Sequence, residues 1–299
     1  MGMELRFRDP GLSFRMGVTV FLLFALYALF VWVLLSAGVD YTLTLLLVGG
    51  MMALQYFYSD KLVLLSTGAR EVTPAEYPEL HAMVARLAQL ADVPKPRVAV
   101  VPSRVPNAFA TGRDPQHAVV AVTEGLLRTL TSEEVEAVLA HEITHVRNRD
   151  VMVMTFASFF GTLAGYLMRW FFWYGGPVDR RDRNGSAIAL VYLASVVVWF
   201  LSFFLLRALS RYREFAADRG AALLTGAPSH LASALLKISG VMERMPRQDL
   251  REAEGLNAFY IVPALSGESL MELFATHPSL ERRLRYLEQI EREMRGQRR

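Results

Sequence analysis

The chain has 299 residues, 53% of them hydrophobic, and a mean hydropathy of +0.27, a balance too apolar for an ordinary pair of soluble domains. It has no cysteine, which excludes disulfides and thiolate metal sites and leaves histidines and carboxylates to hold any metal. The net charge of +3 comes from arginines scattered near the apolar segments, without the basic stripe that tracks a nucleic-acid backbone, so nucleic acid is not expected as a partner.

No charge falls between Arg15 and Asp40, and at about 1.5 Å per residue Met16–Val39 covers the roughly 30 Å of a bilayer core. The run exceeds the ~7–15 residues of a signal-peptide core, so it reads as a span that stays attached. A second uncharged run, Tyr41–Ser59, should close a helical hairpin with it. Thr73-Pro74-Ala75-Glu76 has the form of a capping box with proline at the first helical position. Leu80, Met83, Val84 and Leu87 then share one face, which predicts a helix over Pro74–Ala91. Two β-branched runs follow, RVAVVPS from Arg97 and QHAVVAVT from Gln116. The Pro and Gly residues of the intervening RVPNAFATGRDP predict a turn-rich hairpin in a small sheet.

A second capping box, Thr131-Ser132-Glu133-Glu134, opens a helix that runs through Val135, Val138 and Leu139 into AHEITHV at Ala140–Val146. Residues four apart share a helix face, so His141 and His145 can point at one Zn²⁺. Zinc brings the pKa of a bound water toward 7, and the adjacent Glu142 can take its proton as the water attacks a carbonyl, then pass it to the leaving amine. A catalytic zinc has three protein ligands and an open position. The extended HExxHxxGxxH pattern does not supply the third, because Asn148 and Val151 stand where it needs glycine and histidine.

The third apolar run, Val151–Met168, extends toward the aromatics Trp170–Tyr174, and the fourth is Gly185–Leu206. Arg6, Arg8 and Arg15 before the first span, with Arg147, Arg149, Arg207, Arg211 and Arg213 beside the third and fourth, mark one shared side as cytoplasmic. The arginines of the Arg169–Asn184 loop run against that bias. Beyond the fourth span, RYREFAADRGAA at Arg211–Ala222 offers Glu214 as the third ligand, although it could equally pair with Arg211 or Arg213 on a solvated face. Helical rise favours the metal. His145 lies about 9 Å below the start of the third span and Glu214 about 12 Å beyond the end of the fourth, at similar heights over the bilayer. Asp218, one turn on, would fix the orientation of a ligand histidine, and the small Ala216, Ala217, Ala221 and Ala222 would let helices approach closely. The tract Arg244–Leu273 carries no motif. Leu280, Leu284, Leu287, Ile290 and Met294 then recur at helical intervals before a frayed RGQRR tail. His81, His117 and His230 read as structural or exposed.

With PNAFATG at Pro106–Gly112, AHEITHV, REFAAD at Arg213–Asp218 and THPSLERRL at Thr276–Leu284, the chain resembles the HtpX-like membrane zinc metalloproteases, gluzincins related to the integral-membrane CAAX prenyl proteases. The resemblance implies an α+β fold: a mainly helical integral membrane protein with four transmembrane helices and a zincin-like catalytic domain containing a small sheet. The expected organisation is a transmembrane hairpin at 1–59, catalytic segments at 60–150 and 207–299, and a second hairpin at 151–206. The resemblance also implies one Zn²⁺ per chain on His141, His145 and Glu214, with Glu142 as general base and acid. His277 and Arg283 would approach the substrate oxyanion, although Arg283 could instead form an ion pair with Glu254 or Glu268. Asn107, Ala108, Phe109 and Ala110, by themselves an ordinary loop, become an edge strand that pairs with extended substrate. The implied partners are the lipid bilayer and polypeptide substrates, namely misfolded, damaged or misassembled membrane proteins cleaved on the cytoplasmic side of a prokaryotic membrane. Nothing in the sequence specifies an oligomeric state. The competing readings are a CAAX-type processing protease for defined peptides or lipidated tails, and a non-catalytic adaptor with structural zinc.

Overall fold

In the computed structural model, the described residues are 9–38, 63–174, 183–245 and 277–296, with scattered positions from 40 to 61. Most of the expected second span, the turn of the arginine-rich loop, the motif-free tract with Glu254 and Glu268, and the C-terminal tail lie outside them.

Among the described residues, three helices are long and apolar enough to cross a membrane. The first, α1 (Pro10–Ser36), starts with Asp9 as N-cap, whose side chain accepts from the Leu12 amide at 3.1 Å. The others are α5 (Asp150–Tyr174) and α6 (Arg183–Thr225). Leu23, Tyr27, Phe30 and Leu34 of α1 form a buried cluster with Ala164 of α5 and Val191, Val198 and Leu209 of α6. Outward-facing Phe14, Phe21, Phe24, Trp32, Phe172 and Trp173 are exposed, as expected of side chains that face lipid. Within the bundle the Tyr27 hydroxyl donates to the Ala157 carbonyl at 2.6 Å. Gly161 allows the close α5–α6 approach, since a Cβ there would lie 3.0 Å from that of Ser202.

The remaining described segments fold around a four-stranded sheet in the order β1-β2-β4-β3, comprising β1 (Arg70–Glu71), β2 (Arg97–Val101), β3 (Ala108–Thr111) and β4 (Val119–Thr123). The expected hairpin between the two β-branched runs is not formed, because β2 and β4 run parallel. The segment between them is not a turn. It supplies β3, antiparallel to β4, and reverses direction at Gly112, where a φ of 131° and the nearby His117 carbonyl leave no room for a side chain. Parallel strands need a crossover, and the chain makes it through this extra edge strand.

One sheet face packs on α2 (Pro78–Ala91), α3 (Glu124–Thr129), α4 (Ser132–Arg147) and α7 (Pro228–Met242) through Leu87, Val120, Leu126, Leu139, Leu235 and Ile238. α8 (Leu280–Gly296) adds Leu287 to the same core. α2 begins one turn later than Thr73-Pro74 predicts. Glu76 does accept from the Thr73 amide at 2.7 Å, but Pro78 holds Tyr77 at φ −134°, ψ 68°, outside helical space. At α4 the capping box forms fully.

Candidate metal centre

α4 is buried along most of its length, so His141 and Glu142, at 1% and 4% exposure, lie inside the protein rather than on an amphipathic surface. The helix ends at Asn148 and Arg149. Arg149 adopts a left-handed φ of 55°, so α4 and α5 are separate helices and not the single one expected from the spacing. α6 does continue without a break from its apolar stretch through Glu214 and Asp218. It packs on α4 where Gly220 faces Thr144, and a Cβ at Gly220 would lie 2.3 Å from the Thr144 methyl carbon. Ala217, Ala221 and Ala222 are buried beside it.

This close approach brings the predicted ligands together. His141, His145 and Glu214 offer ligand atoms that all lie within 4.8 Å of one another. The two Nε2 atoms are 3.1 Å apart, and each lies about equally far from the Glu214 carboxylate, at 3.6 Å for His141 and 3.5 Å for His145. The far nitrogens meet carboxylates. His141 Nδ1 is 3.0 Å from Asp218 Oδ1, and His145 Nδ1 is 2.6 Å from Asp150 Oδ2. A carboxylate at Nδ1 keeps the ring proton there and leaves the Nε2 lone pair outward. Two such lone pairs and a buried carboxylate converging on one point suit a cation, and among the described residues no donor meets Glu214 Oε2 in hydrogen-bonding geometry. The same field acts on the His141 proton. Burial opposes its charge, but the carboxylates of Asp218 and Glu214 outweigh it and push its pKa up to about 9, so a cation that binds at Nε2 must displace a proton there.

Glu142 lies on the sheet side of the cluster. Burial pushes its carboxyl above the usual range. Positive charge at His145 and His141 pulls it back, and the Ala110 backbone N–H donates to it. That contact places β3 beside Glu142. Of the predicted substrate residues, Ala108 to Ala110 lie in β3, and Asn107 precedes it with its amide bonded to Thr123 Oγ1 at 2.9 Å. β3 pairs with β4 and forms the sheet edge among the described residues.

His277 and Arg283 also reach the cluster. His277 Nδ1 is 3.2 Å from Glu214 Oε2, and Arg283, only 2% exposed, grips Asp218 with Nε at 2.9 Å and Nη2 at 2.5 Å while its Nη1 stands 3.6 Å from Glu214. His81 bonds the Val72 carbonyl and His117 pairs with Asp114, both away from the cluster.

Sequence reasoning missed Asp150 and the role of Arg213. The Arg213 Nε lies 2.9 Å from Asp150 Oδ1, so one carboxylate holds His145 and ties α5 to α6. The signal was a carboxylate at the first position of an otherwise apolar run, where the membrane edge makes an unpaired charge costly. Asp150→Asn is expected to weaken cation binding by about 10–100-fold, as losses of this kind of outer partner do. Competition with a chromophoric chelator measures it, with circular dichroism checking the fold; unchanged affinity would rule the role out.

The profile of peptidase family M48 matches residues 74–291. The chain is 62% identical over 290 residues to the protease HtpX homolog of Moorella thermoacetica, covering 96% of each chain. It is 56% identical to protease HtpX homolog 2 of Methanosarcina acetivorans over 287 residues, 96% of this chain and 98% of the relative. The crystal structure of S. mikatae Ste24p aligns with a TM-score of 0.57 at 18% identity, covering 93% of this chain and 67% of that one, a likeness of fold.

Proposed function

The chain belongs to peptidase family M48 and is a membrane metalloprotease, and from that premise we propose that it cleaves misfolded or damaged membrane proteins at the cytoplasmic face of a prokaryotic cytoplasmic membrane. The observation that carries the catalytic part is the convergence of two imidazole Nε2 atoms and one carboxylate beside Glu142. In this reading His141, His145 and Glu214 hold one Zn²⁺. When bound there, zinc supplies a Lewis acid that polarises the scissile carbonyl and acidifies water.

The chain's own residues do the rest. Glu142 takes a proton from the attacking water onto its carboxylate and returns it to the leaving amine nitrogen. Burial raises its proton affinity, which suits a group that must act first as base and then as acid. Asp218 and Asp150 hold the two imidazoles in place, and Arg283 fixes Asp218. His277 and Arg283 are the proposed donors to the developing oxyanion. Asn107–Ala110 is the proposed docking edge for extended substrate, whose main chain would add a strand next to Glu142. Backbone pairing reads little sequence, in keeping with varied unfolded substrates. The segments 60–150 and 207–299 form the proposed catalytic domain, with hairpins at 1–59 and 151–206.

Stripping the purified protein with a chelator should abolish cleavage of unfolded casein, and about one equivalent of Zn²⁺ should restore it. Full cleavage by the stripped protein would end the metal-dependent reading. Mapping cut sites on unrelated substrates separates broad clearance from processing of defined tails, and labelling single cysteines introduced on α8 from either side of sealed vesicles tests the cytoplasmic assignment.

A further inference from the structure

A cavity of about 570 Å³ opens between the start of α1, the Arg211–Phe215 stretch of α6 and the outer face of α8, apart from the metal cluster. Among the described residues its lining holds four arginines, Arg15, Arg211, Arg282 and Arg285, and one carboxylate, Asp9. That carboxylate is engaged on both oxygens. Oδ1 accepts from the Leu12 amide at 3.1 Å and Oδ2 accepts from the Tyr286 hydroxyl at 3.2 Å. Arg15, Arg282 and Arg285 are exposed and Arg211 is half-buried. Arg285 also meets Glu281 at 3.3 Å on the surface of α8. The apolar part of the lining includes Leu12 and Phe215, whose ring packs on Tyr286 with centroids 5.2 Å apart.

The depth of this cavity narrows what it can hold. Arg15 is the last charge before the uncharged stretch of α1, and Arg211 comes shortly after the apolar stretch of α6 ends at Arg207. Both therefore stand at the level where a bilayer's hydrocarbon gives way to headgroups. Guanidinium forks match phosphate oxygens, and apolar walls next to them suit the glycerol and first methylenes of a lipid. We propose that this cavity binds the phosphate ester of an anionic phospholipid headgroup. The occupant would bridge α1, α6 and α8. On α6 its contacts flank Arg213 and Glu214, and on α8 Arg282 adjoins Arg283, so a bound lipid would hold together the helix that carries Glu214 and the helix whose Arg283 faces it.

The test is the thermal unfolding midpoint of the full-length protein in maltoside micelles with dioctanoyl phosphatidylglycerol, dioctanoyl phosphatidylcholine or inorganic phosphate. Phosphatidylglycerol at about ten times its Kd should raise the midpoint by roughly 2–3 °C, and phosphatidylcholine should not. The Arg15→Gln/Arg282→Gln/Arg285→Gln variant should lose the shift, whereas Arg128→Gln/Arg292→Gln/Arg295→Gln, an equal charge change at exposed positions of α3 and α8 outside the cavity, should keep it. Arg282→Glu alone, at an exposed position, should at least halve the shift and stands in if the triple variant does not fold. Equal shifts from both lipids, or a shift that survives these cavity variants, overturns the proposal. An equal shift from inorganic phosphate with nothing added by the lipid overturns its lipid part. Because the readout is stability, failure here leaves the hydrolytic reading untouched.

Discussion

Glu142→Gln is expected to retain metal and lose cleavage by at least about 10²–10⁴-fold, the range that general acid–base catalysis contributes. The substitution keeps the size of the side chain and can still accept the Ala110 amide, so β3 and α4 should stay in place. None of the atoms that converge between His141, His145 and Glu214 belongs to Glu142. What disappears is the capacity to take a proton and give it back, because an amide has no useful basicity at neutral pH. Metal content per chain and turnover of an unfolded substrate, measured on one preparation, decide the matter. Retained turnover in metal-replete Glu142→Gln protein would remove this residue from the chemistry. Loss of metal together with activity would instead make Glu142 part of the binding site.

Glu214→Gln separates binding from proton transfer in the opposite way. It should lose cleavage because it loses metal, with an affinity drop larger than the about 10–100-fold typical of an outer partner. The reason lies in charge. Glu214 is 6% exposed, and its Oε2 faces His277 at 3.2 Å and Arg283 at 3.6 Å, so the site is built around its negative charge. An amide there leaves the buried Arg283 guanidinium facing less negative charge, which also costs stability. The measurement is metal stoichiometry after gel filtration, compared with Asp150→Asn at the same pH. A Glu214→Gln protein that carries full metal and cleaves normally would sink the three-ligand assignment.

The parts of this site that could be read in the sequence were those governed by local rules. Thr131 and Glu134 announce the start of α4, the four-residue spacing fixes the shared face of His141 and His145, and small residues around Asp218 foretell a close helix contact. Charge-free length announced α1, α5 and α6. The rest depended on contacts distant along the chain. Nothing within 97–123 tells that β2 and β4 run parallel, because that follows from the segment between them becoming a third strand that pairs with β4. The grip of Arg283 on Asp218 joins residues 65 apart, where the sequence offers Glu254 or Glu268 as its ion-pair partner instead. Asp150 escaped notice because its meaning depends on the backbone break at Arg149, which no residue preference signals.

The unbroken course of α6 carries any change of membrane tilt up to the metal cluster. At about 1.5 Å per residue this 43-residue helix is roughly 65 Å long, and helices adjust to thinner or thicker bilayers mainly by tilting. With Glu214 about 12 Å past the apolar stretch, a tilt change of about 10° would sweep it sideways by about 2 Å, beyond the ~1 Å misplacement that already impairs catalysis. The Gly220–Thr144 contact and the Arg283–Asp218 pair clamp α4 and α8 to the same rod. A thickness change should therefore rock the whole assembly as one body, pivoting at Arg149, and leave the spacing of the three proposed ligands intact.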